Sequence, residues 1–385
     1  MDPAISLLRE LVAVNSVNPT LVPGAPGEAA MADAVASALR RAGLDVSVEI
    51  VADGRPNVVG VLDGRAKGRS IMLCGHTDTV GVAGMGDPFT PIERDGRLYG
   101  RGAQDMKGGV AAMVAAAAQI AQRGLASGRL IVAAVVDEEH SSIGADALVK
   151  KWRADAGVVT EPTDLAIAVG HKGFAWVEVI VAGRAAHGSR PKEGEDAILR
   201  LGRVLTRLEA LDRTLQAQAP HPLVGTGSLH ASFVAGGHEL SSYPDRATLQ
   251  MERRILPGDP ESIAVTEVRG IIVALAREDP TFRASATAMF SRPAYEVPRD
   301  HDLPRALAAA AARAGIDARI TGASFWTDAA VLGHAGIPSI LFGPGGAGLH
   351  STEEYVNVAD VTACRDALVE LIPSWTAGIT GGDPR

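Results

Sequence analysis

The chain has 385 residues, of which 46% are hydrophobic and 21% charged, with a net charge of −8. This composition is typical of globular proteins and excludes disordered and fibrous classes. The acidic balance argues against a nucleic-acid or anionic-membrane partner, because both require a basic face.

The length favours two domains, or one large domain that carries an insertion. The first predicted helix begins at Asp2-Pro3 and has Leu7, Leu8 and Leu11 at helical spacing. The segment lacks the basic stretch and cleavage site of a signal peptide. We therefore expect a soluble protein.

Only two cysteines occur, Cys74 and Cys364. Two are too few for a disulfide framework, and their separation does not match a cysteine metal site. No apolar stretch approaches the roughly 18 uncharged residues that a membrane span needs. A reducing cytoplasm is the expected compartment.

Up to about residue 170, apolar runs alternate with helical patterns, including helices predicted at 108–123 and 144–153. Runs rich in valine and isoleucine between helices indicate an α/β fold with a mostly parallel sheet and helices on both faces. The runs are "NVVGVLDG", "SIMLCGH", "LIVAAVVDEE" and "AGVVTEP".

The pattern then changes to a predicted β-α-β-β-α-β unit, which is an α+β, ferredoxin-like arrangement, with helices near 195–211 and 260–276. After it the first pattern returns, with helices at 303–314 and 360–373. The second domain is therefore predicted to be inserted into the first. The expected bounds are 1–171 and 291–385 for the catalytic domain and 172–290 for the insertion.

Metal-ligand side chains follow the predicted strands where each strand ends. Ligands of open α/β sheets gather beyond the carboxyl ends of the strands, so these side chains can meet at one edge. They are His76, Asp78, Glu138, Glu139, Glu161 and His350, and Asp105 lies in the glycine-rich loop "YGRGAQDMKGG".

Each of these positions alone has an ordinary structural explanation. A single histidine after a strand is more often a hydrogen-bonded surface residue than a ligand. Glu138 and Glu139 could form a solvated loop, and Asp105 or Asp78 could cap a helix or turn. Their convergence at one sheet edge is what random surface placement rarely produces, so we predict a metal site.

Two imidazoles and three carboxylates suit two divalent ions of the zinc type, with cobalt or manganese as alternatives. Their formal charge of four is balanced by Asp105, Glu139, Glu161 and one bridging hydroxide. Asp78, two residues after His76, is placed to accept the second imidazole N–H and to fix its tautomer.

Glu138 is then a carboxylate that no ion requires as a ligand. A carboxylate beside a metal-bridging water can take its proton and return it to a leaving nitrogen, which predicts amide hydrolysis. From these residues alone, which of Glu138 and Glu139 is the base and which the ligand stays open.

The chain resembles the metal-dependent amidohydrolase and exopeptidase family that includes acetylornithine deacetylase, succinyl-diaminopimelate desuccinylase, aminoacylase and the glutamate-releasing carboxypeptidases. The resemblance covers nearly the whole chain in family order. The matching segments are "GHTDTV", "GRGAQDMKGG", "VVDEEHSSIGA", "VTEPT", "AAHGSRP" and "FGPGGAGLHSTEEYV".

This resemblance implies specific roles. His76 and His350 would each bind one metal ion, Asp105 would bridge the two ions, and Glu139 and Glu161 would complete the ligand sets. Glu138, the first acid of the Glu-Glu pair, would be the general base. The bridging aspartate of the family usually precedes a cis peptide bond, so Asp105-Met106 is expected to be cis.

The resemblance also implies that the inserted domain is a lid and a homodimerisation domain. His187 in "AAHGSRP" would stabilise the oxyanion, often from the partner subunit. Without the resemblance, a polar residue at the end of an edge strand is the better explanation. Arg254 in "MERRILPG" would clamp a substrate α-carboxylate, and Arg253 would face solvent or form an ion pair.

Two features depart from the family pattern. Ser241 stands where many relatives have asparagine, so the acyl and side-chain specificity of this substrate-binding position is open. The segment "GPGGAG" formally fits a dinucleotide motif, but Pro344 interrupts it and no helix follows at once. We interpret Gly345 as part of a close-approach loop that holds His350 and lines the substrate pocket.

The sequence therefore predicts a hydrolase that cleaves the amide bond of an N-acyl amino acid, in the manner of a deacetylase or desuccinylase. A dipeptidase or carboxypeptidase that uses the same site is the alternative. A non-catalytic metal-binding protein is a third possibility, and Glu138 discriminates against it, because a binding protein needs no unligated carboxylate beside the metal.

Overall fold

The computed structural model describes residues 2–298 and 300–378. The chain divides into two compact units. The first unit comprises Met1–Val169, Val297–Gly322 and Thr327–Arg385, and the second comprises Gly170–Glu296 and Ala323–Trp326. Residues 379–385, the end of the last predicted domain segment, lie outside the described residues.

The helices other than α2, which the sequence analysis did not predict, agree in place with the sequence patterns, and α3 has the predicted bounds. They are α1 Pro3–Val12, α2 Ala29–Arg41, α3 Gly108–Arg123, α4 Ile143–Lys151, α5 Ala197–Ala217, α6 Ile263–Glu278, α7 Asp302–Arg313, α8 Ala329–His334 and α9 Val358–Thr376. The Asp2 side chain caps α1 by accepting a hydrogen bond from the Ala4 N–H.

The strands range from long buried runs to pairs of residues. They are β1 Asp45–Ala52, β2 Arg55–Asp63, β3 Ala66–His76, β4 Ile92–Arg94, β5 Arg97–Tyr99, β6 Ser127–Val135, β7 Gly157–Val159, β8 Ile167–His171, β9 Gly173–Ala182, β10 Ser228–Gly236, β11 Arg246–Ile255, β12 Arg283–Arg292, β13 Tyr295–Glu296, β14 Ile320–Ala323, β15 Ser339–Leu341, β16 Gly346–Ala347 and β17 Tyr355–Asn357.

The main sheet of the first unit has the strand order β1-β2-β6-β3-β7-β15-β8. The four central strands, β6, β3, β7 and β15, are parallel. Strands β1 and β2 extend the sheet antiparallel on one side, and β8 pairs antiparallel with β15 on the other. The predicted parallel sheet is confirmed at its centre, whereas its antiparallel margins were not predicted.

Helices cover this sheet in two groups. Helices α3 and α9 pack together and contact β3 and β6, while α4 and α8 form a separate pair against β6, β7 and β15. The central strand segments are buried on both faces, which explains why they read as continuous apolar runs. A Cβ atom on Gly109 would lie 1.9 Å from the Thr160 carbonyl oxygen, so α3 begins in direct backbone contact with the residue after β7.

The register of the parallel strands brings their carboxyl ends to one level. His76 lies opposite Val135, Cys74 opposite Val159, and Val159 opposite Leu341. The residues that leave these strands therefore emerge at one edge of the sheet, as the sequence predicted.

A small antiparallel sheet, with strand order β16-β17-β5-β4, completes this edge. Val356 of β17 pairs with Gly346 of β16 and with Leu98 of β5. This pairing holds the hairpin that contains His350 beside the chain that leads to Asp105. The sequence analysis missed this sheet, because strands of two or three residues carry no measurable periodicity.

The second unit contains a four-stranded antiparallel sheet with strand order β10-β11-β9-β12. Its element order, β9-α5-β10-β11-α6-β12, is the β-α-β-β-α-β order of the sequence prediction. Alternate β9 residues, including Val177 and Val179, join Leu201 and Val268 of the helices in one apolar core. Gly170 and His171, at the end of β8, pair with β13.

Candidate metal centre

The carboxylate of Asp105 lies between two histidines at the edge of the first unit's sheet. His76 Nε2 is 3.0 Å from Asp105 Oδ1, and His350 Nε2 is 3.3 Å from Asp105 Oδ2. Each imidazole thus faces a different oxygen of the same carboxylate. This is the arrangement that a bridging ligand between two cations requires.

Glu139 lies on the His350 side of this carboxylate. His350 Nε2 is 3.0 Å from Glu139 Oε2. His76, Asp105 and Glu139 each offer a ligand atom, and these atoms lie within 4.8 Å of one another. The structure therefore brings together these four predicted ligands.

Glu138 and Glu161 form a second group with His76. Their ligand atoms also lie within 4.8 Å of one another. Glu161 is the second residue after β7 and is 3% exposed. All the residues predicted from strand ends thus share one cluster, in which Glu138 itself occupies a position that could reach a metal ion.

Burial and mutual repulsion disfavour the charged forms of these glutamates. Burial, reinforced by Asp105, raises the pKa of Glu139 to about 7. Burial and the Glu161 carboxylate raise the pKa of Glu138 well above its usual value, and burial likewise raises that of Glu161. Asp328, buried at the start of α8, adds to the negative potential at Glu138 and Glu161.

The two histidines respond in the opposite direction. Hydrogen bonds that His350 donates to the Asp105 and Glu139 carboxylates raise its pKa to about 10. Burial alone would lower the pKa of His76, but Asp105 and Asp78 raise it well above the usual value. The excess of carboxylates in the cluster therefore favours the binding of positive charge.

Two buried carboxylate oxygens in the cluster are available to bind a cation. Among the residues that the structure describes, Glu139 Oε1 and Glu161 Oε1 are buried without a hydrogen-bond partner. Buried carboxylate oxygens are normally hydrogen-bonded or bound to a metal ion. Together with two imidazoles of suitable chemistry, they fit divalent cations of the transition series.

The loop that carries Asp105 is fastened by a residue that the sequence analysis did not single out. Residues Ala103–Lys107 form a kinked turn in which Asp105 and Met106 have non-helical backbone angles, and the Asp105-Met106 peptide bond is cis, as the family resemblance implied. The buried Glu354 carboxylate accepts hydrogen bonds from the Gly102, Gln104 and Asp105 N–H groups. It also pairs with Arg101 at 2.6 Å.

Asp78 fastens the opposite side of the cluster. Its Oδ1 accepts a hydrogen bond from the Glu138 N–H at 3.1 Å, and its Oδ2 accepts one from the Glu139 N–H at 3.2 Å. His76 Nδ1 lies 3.1 Å from the Asp78 carbonyl oxygen and 3.5 Å from its carboxylate. The nearer partner of the imidazole is thus the backbone oxygen of Asp78, while the carboxylate anchors the two glutamates.

Asp137, the first of three consecutive acids, has its own cation. Arg55 Nη2 is 2.8 Å from Asp137 Oδ1, and Arg55 also forms hydrogen bonds to Glu28. Asn18 Nδ2 donates to Asp137 Oδ1 and to Asp78 Oδ2. The sequence analysis missed Asn18, Glu28 and Arg55, because nothing in their local patterns marks a charged network.

The remaining predicted residue of the first unit, Gly345, is buried in the loop between β15 and β16. Its N–H donates to Asp360, and an added Cβ would lie 2.3 Å from Asp164 Oδ1. The close approach predicted at this position is therefore to a neighbouring carboxylate of the fold. Its contact with substrate remains a prediction.

His187, Ser241 and Arg254 belong to the second unit. His187 is exposed, and its Nδ1 accepts a hydrogen bond from the Ser189 N–H, which leaves Nε2 to carry the proton of a neutral ring. The Ser241 carbonyl accepts a hydrogen bond from the Gly188 N–H. The functional roles of these residues remain predictions.

Arg254 is partly exposed and lies 2.7 Å from Glu252 Oε1, with its guanidinium 5.7 Å from the Phe174 ring centre. Arg253 is 2% exposed and pairs with Glu267 at 3.0 Å. Of the two predicted environments for Arg253, the ion pair is therefore the one found.

The structure contains no helix, within residues 2–298 and 300–378, with both the length and the apolar character needed to cross a membrane. Cys74 and Cys364 are both buried and free.

Residues 72–374 of the chain match peptidase family M20/M25/M40. An acetylornithine deacetylase from Myxococcus xanthus is 32% identical over 334 residues, which cover 84% of each chain. An N-formyl-4-amino-5-aminomethyl-2-methylpyrimidine deformylase from Bacillus subtilis is 28% identical over 89% of this chain and 88% of that protein.

Solved structures share the fold over nearly the whole chain. A tripeptidase from Staphylococcus aureus has a TM-score of 0.82 at 23% identity and covers 97% of both chains. A dinuclear metal-binding M20 peptidase from Bacillus subtilis has a TM-score of 0.76 at 16% identity and covers 98% of both chains. At these identities the likeness establishes the fold.

Proposed function

The chain belongs to peptidase family M20/M25/M40 and is a metal-dependent amidohydrolase, and from this premise we propose that it hydrolyses the amide bond of an N-acyl amino acid. The observation that carries the proposal is the Asp105 carboxylate, whose two oxygens face His76 and His350, with Glu138 in the same cluster. Relatives named for deacetylation and deformylation both act on N-acyl groups, which favours a small acyl group.

We propose two divalent ions, with zinc as the native metal and cobalt or manganese as substitutes. His76, Asp105 and Glu161 would hold one ion, and Asp105, Glu139 and His350 the other. When bound, the ions lower the pKa of a water molecule and polarise the scissile carbonyl. The buried oxygens of Glu139 and Glu161 without hydrogen-bond partners support this assignment among the described residues.

In this proposal Glu138 is the general base. Its backbone N–H is fixed by Asp78, so its carboxylate is held at the cluster while it takes a proton from the attacking water. The same carboxylate then delivers that proton to the leaving nitrogen. The products are a free carboxylate and a free amino acid.

The second unit supplies substrate binding in this proposal. Arg254 would bind the substrate α-carboxylate through the guanidinium N–H groups that Glu252 leaves available. His187 would donate its Nε2 proton to the developing oxyanion. Ser241 and Gly345 would contribute to the pocket that distinguishes acyl groups.

We also propose that the second unit is an inserted lid and homodimerisation domain and that the enzyme is cytoplasmic. Strand β10 is an edge of its sheet and exposes Phe233 and Val234. Exposed apolar side chains on an edge strand favour pairing with another chain. Two buried free thiols suit a reducing compartment.

The proposal is tested by measuring the hydrolysis of acetyl, formyl, succinyl and aminoacyl amino acids in the presence of zinc, cobalt or manganese. We expect turnover of N-acyl amino acids that is abolished by a chelator and restored by added metal. Exclusive cleavage of aminoacyl substrates would instead establish a dipeptidase or carboxypeptidase. No hydrolysis of any member of the series would refute the proposed function.

Two variants separate the base from the ligand. Glu138→Gln is expected to retain metal and to lose about 10²–10⁴-fold in turnover, because proton transfer is removed. Glu139→Ala is expected to lose bound metal. Metal analysis and steady-state rates on the same samples distinguish the roles, and wild-type turnover in Glu138→Gln would remove the base assignment.

A further inference from the structure

The turn that carries the two glutamates, Asp137–Ser142 and here called the acidic turn, has an uncommon backbone. Asp137 has a φ of 70°, in the left-handed region that a non-glycine residue seldom adopts. Its carbonyl oxygen accepts hydrogen bonds from the N–H groups of His140, Ser141 and Ser142. Such a conformation persists only where the surroundings hold it.

The side chain of Asp137 is held from three directions. Its Oδ2 accepts a hydrogen bond from the Ser141 hydroxyl at 2.6 Å, while its Oδ1 accepts from Asn18 Nδ2 at 3.0 Å and lies 2.8 Å from Arg55 Nη2. Asp137 is 1% exposed. Burial alone would raise the pKa of Asp137, but Ser141, Asn18 and Arg55 together lower it.

Asn18 connects this aspartate to the carboxylate that fixes the glutamates. Its Nδ2 donates both to Asp137 Oδ1 and to Asp78 Oδ2 at 2.8 Å, and its Oδ1 accepts from the Thr20 N–H. Asn18 is fully buried, and its own N–H donates to the Thr79 carbonyl oxygen, which ties it to the segment after β3. Only an amide can donate to two carboxylates here while accepting from a backbone N–H.

These contacts close a ring. Asp78 accepts from the N–H groups of Glu138 and Glu139, the chain leads directly back to Asp137, and Asn18 joins Asp137 to Asp78. Arg55 contacts the ring at Asp137 and donates hydrogen bonds to the Glu28 carboxylate. Asn18 and Arg55 come from segments remote from the acidic turn in sequence, so the ring fixes the turn from outside it.

We propose that Asn18, supported by Arg55 and Glu28, is a positioning residue that sets the place of Glu138 and Glu139 through Asp78 and Asp137. The consequence for turnover rests on the proposed function, whereas the consequence for the acidic turn does not. Asn18 contacts neither substrate nor metal in this role. Its substitution therefore affects the chemical step and metal retention more than substrate affinity.

The test uses Asn18→Asp, which preserves shape but replaces the donor with a third carboxylate, and Asn18→Ala. We expect hydrogen exchange in the peptide containing the acidic turn to become about ten- to a hundred-fold faster, since the carboxylates lose their common donor. The kcat is expected to fall by about ten- to a hundred-fold, with zinc affinity weakened and KM changed less than about twofold.

Two controls separate positioning from general stability. Asn15→Ala removes an asparagine from the same segment whose side chain accepts a hydrogen bond from the Val17 N–H. Arg365→Gln disrupts an ion pair between the largely buried Arg365 and the partly exposed Asp2 elsewhere in the first unit. Both are expected to leave exchange in the acidic turn, kcat and zinc affinity at wild-type values, although Arg365→Gln lowers Tm.

The outcomes separate this inference from the proposed function. Faster exchange in the acidic turn of a chain that hydrolyses no N-acyl amino acid would support positioning and refute the proposed function. Wild-type exchange, kcat and zinc affinity in both Asn18 variants would overturn the inference while leaving the hydrolase intact. Equal acceleration of exchange in Arg365→Gln would also overturn it, because the effect would then be one of stability alone.

Discussion

Replacing Glu354 by glutamine should separate the loop of Asp105 from its anchor. The Glu354 carboxylate is fully buried, pairs with Arg101 at 2.6 Å and accepts three backbone N–H groups of residues 102–105. Glutamine keeps the volume but removes the charge and turns one acceptor oxygen into a donor. That donor would then face N–H groups or the guanidinium of Arg101.

The structure indicates a large cost. Arg101 is 2% exposed, so the substitution leaves a buried cation without its carboxylate. Breaking a buried ion pair from one side costs about 3–5 kcal/mol of unfolding free energy. At about 2–4 °C per kcal/mol for a unit of this size, Tm should fall by roughly 6–20 °C.

The assay compares Glu354→Gln with Glu370→Gln in thermal unfolding and metal titration. Glu370 forms a pair of similar length with Arg313, at 2.8 Å, but both side chains are about half exposed. Its loss should cost only about 0–1 kcal/mol. Glu354→Gln should also weaken metal binding about 10–100-fold, because Asp105 loses its backbone support.

Equal Tm values for Glu354→Gln and the wild type would refute the reasoning on the buried pair. A normal metal affinity in a destabilised Glu354→Gln protein would refute the link between Glu354 and Asp105 while leaving the stability argument intact. The two measurements therefore test the two steps separately.

Three further outcomes concern the second unit. His187→Ala should reduce turnover about 10²–10³-fold with unchanged metal content, and wild-type turnover would exclude an oxyanion role. Arg254→Ala should raise KM for N-acyl amino acids more than it lowers kcat, and an unchanged KM would exclude the carboxylate clamp. Hydrogen bonds from Thr281, followed by Arg203, lower the pKa of Asp279 from 3.8 to about 2. The stabilisation from Asp279 is thus complete above pH 3.8 and is lost as pH falls through 2, so Asp279→Asn should lower Tm more at pH 7 than at pH 2; equal Tm differences at both pH values would contradict this.

Much of the fold was predictable because its signals are local. The helix at 108–123 and the apolar strands β3, β6 and β7 can be predicted from the periodicity and length of their apolar segments. Helix α2 was missed although Met31, Val35 and Leu39 recur at four-residue spacing and form its buried face. The short strands around His350 were beyond sequence reasoning, since their pairing is entirely tertiary.

The candidate ligands were predictable for a related reason. Parallel strands place their carboxyl ends at one edge, so residues separated by hundreds of positions could be assigned to one cluster from chain order alone. The family resemblance then supplied roles for His76, Asp105, Glu138 and His350 that spacing left open. The structure adds their distances, above all the two oxygens of Asp105 facing two different imidazoles.

By itself the sequence determined which chemical groups leave the strands, in what order, and the layered α/β arrangement that makes them converge. Only the tertiary structure decided which residues position these chemical groups. Arg55 pairs with Asp137, Asn18 donates to the carboxylates of Asp78 and Asp137, and Glu354 accepts hydrogen bonds from the Asp105 loop. The physical reason is that strand and helix signals repeat along the chain, whereas a buried hydrogen bond depends on side-chain direction across remote segments. No local pattern records that direction.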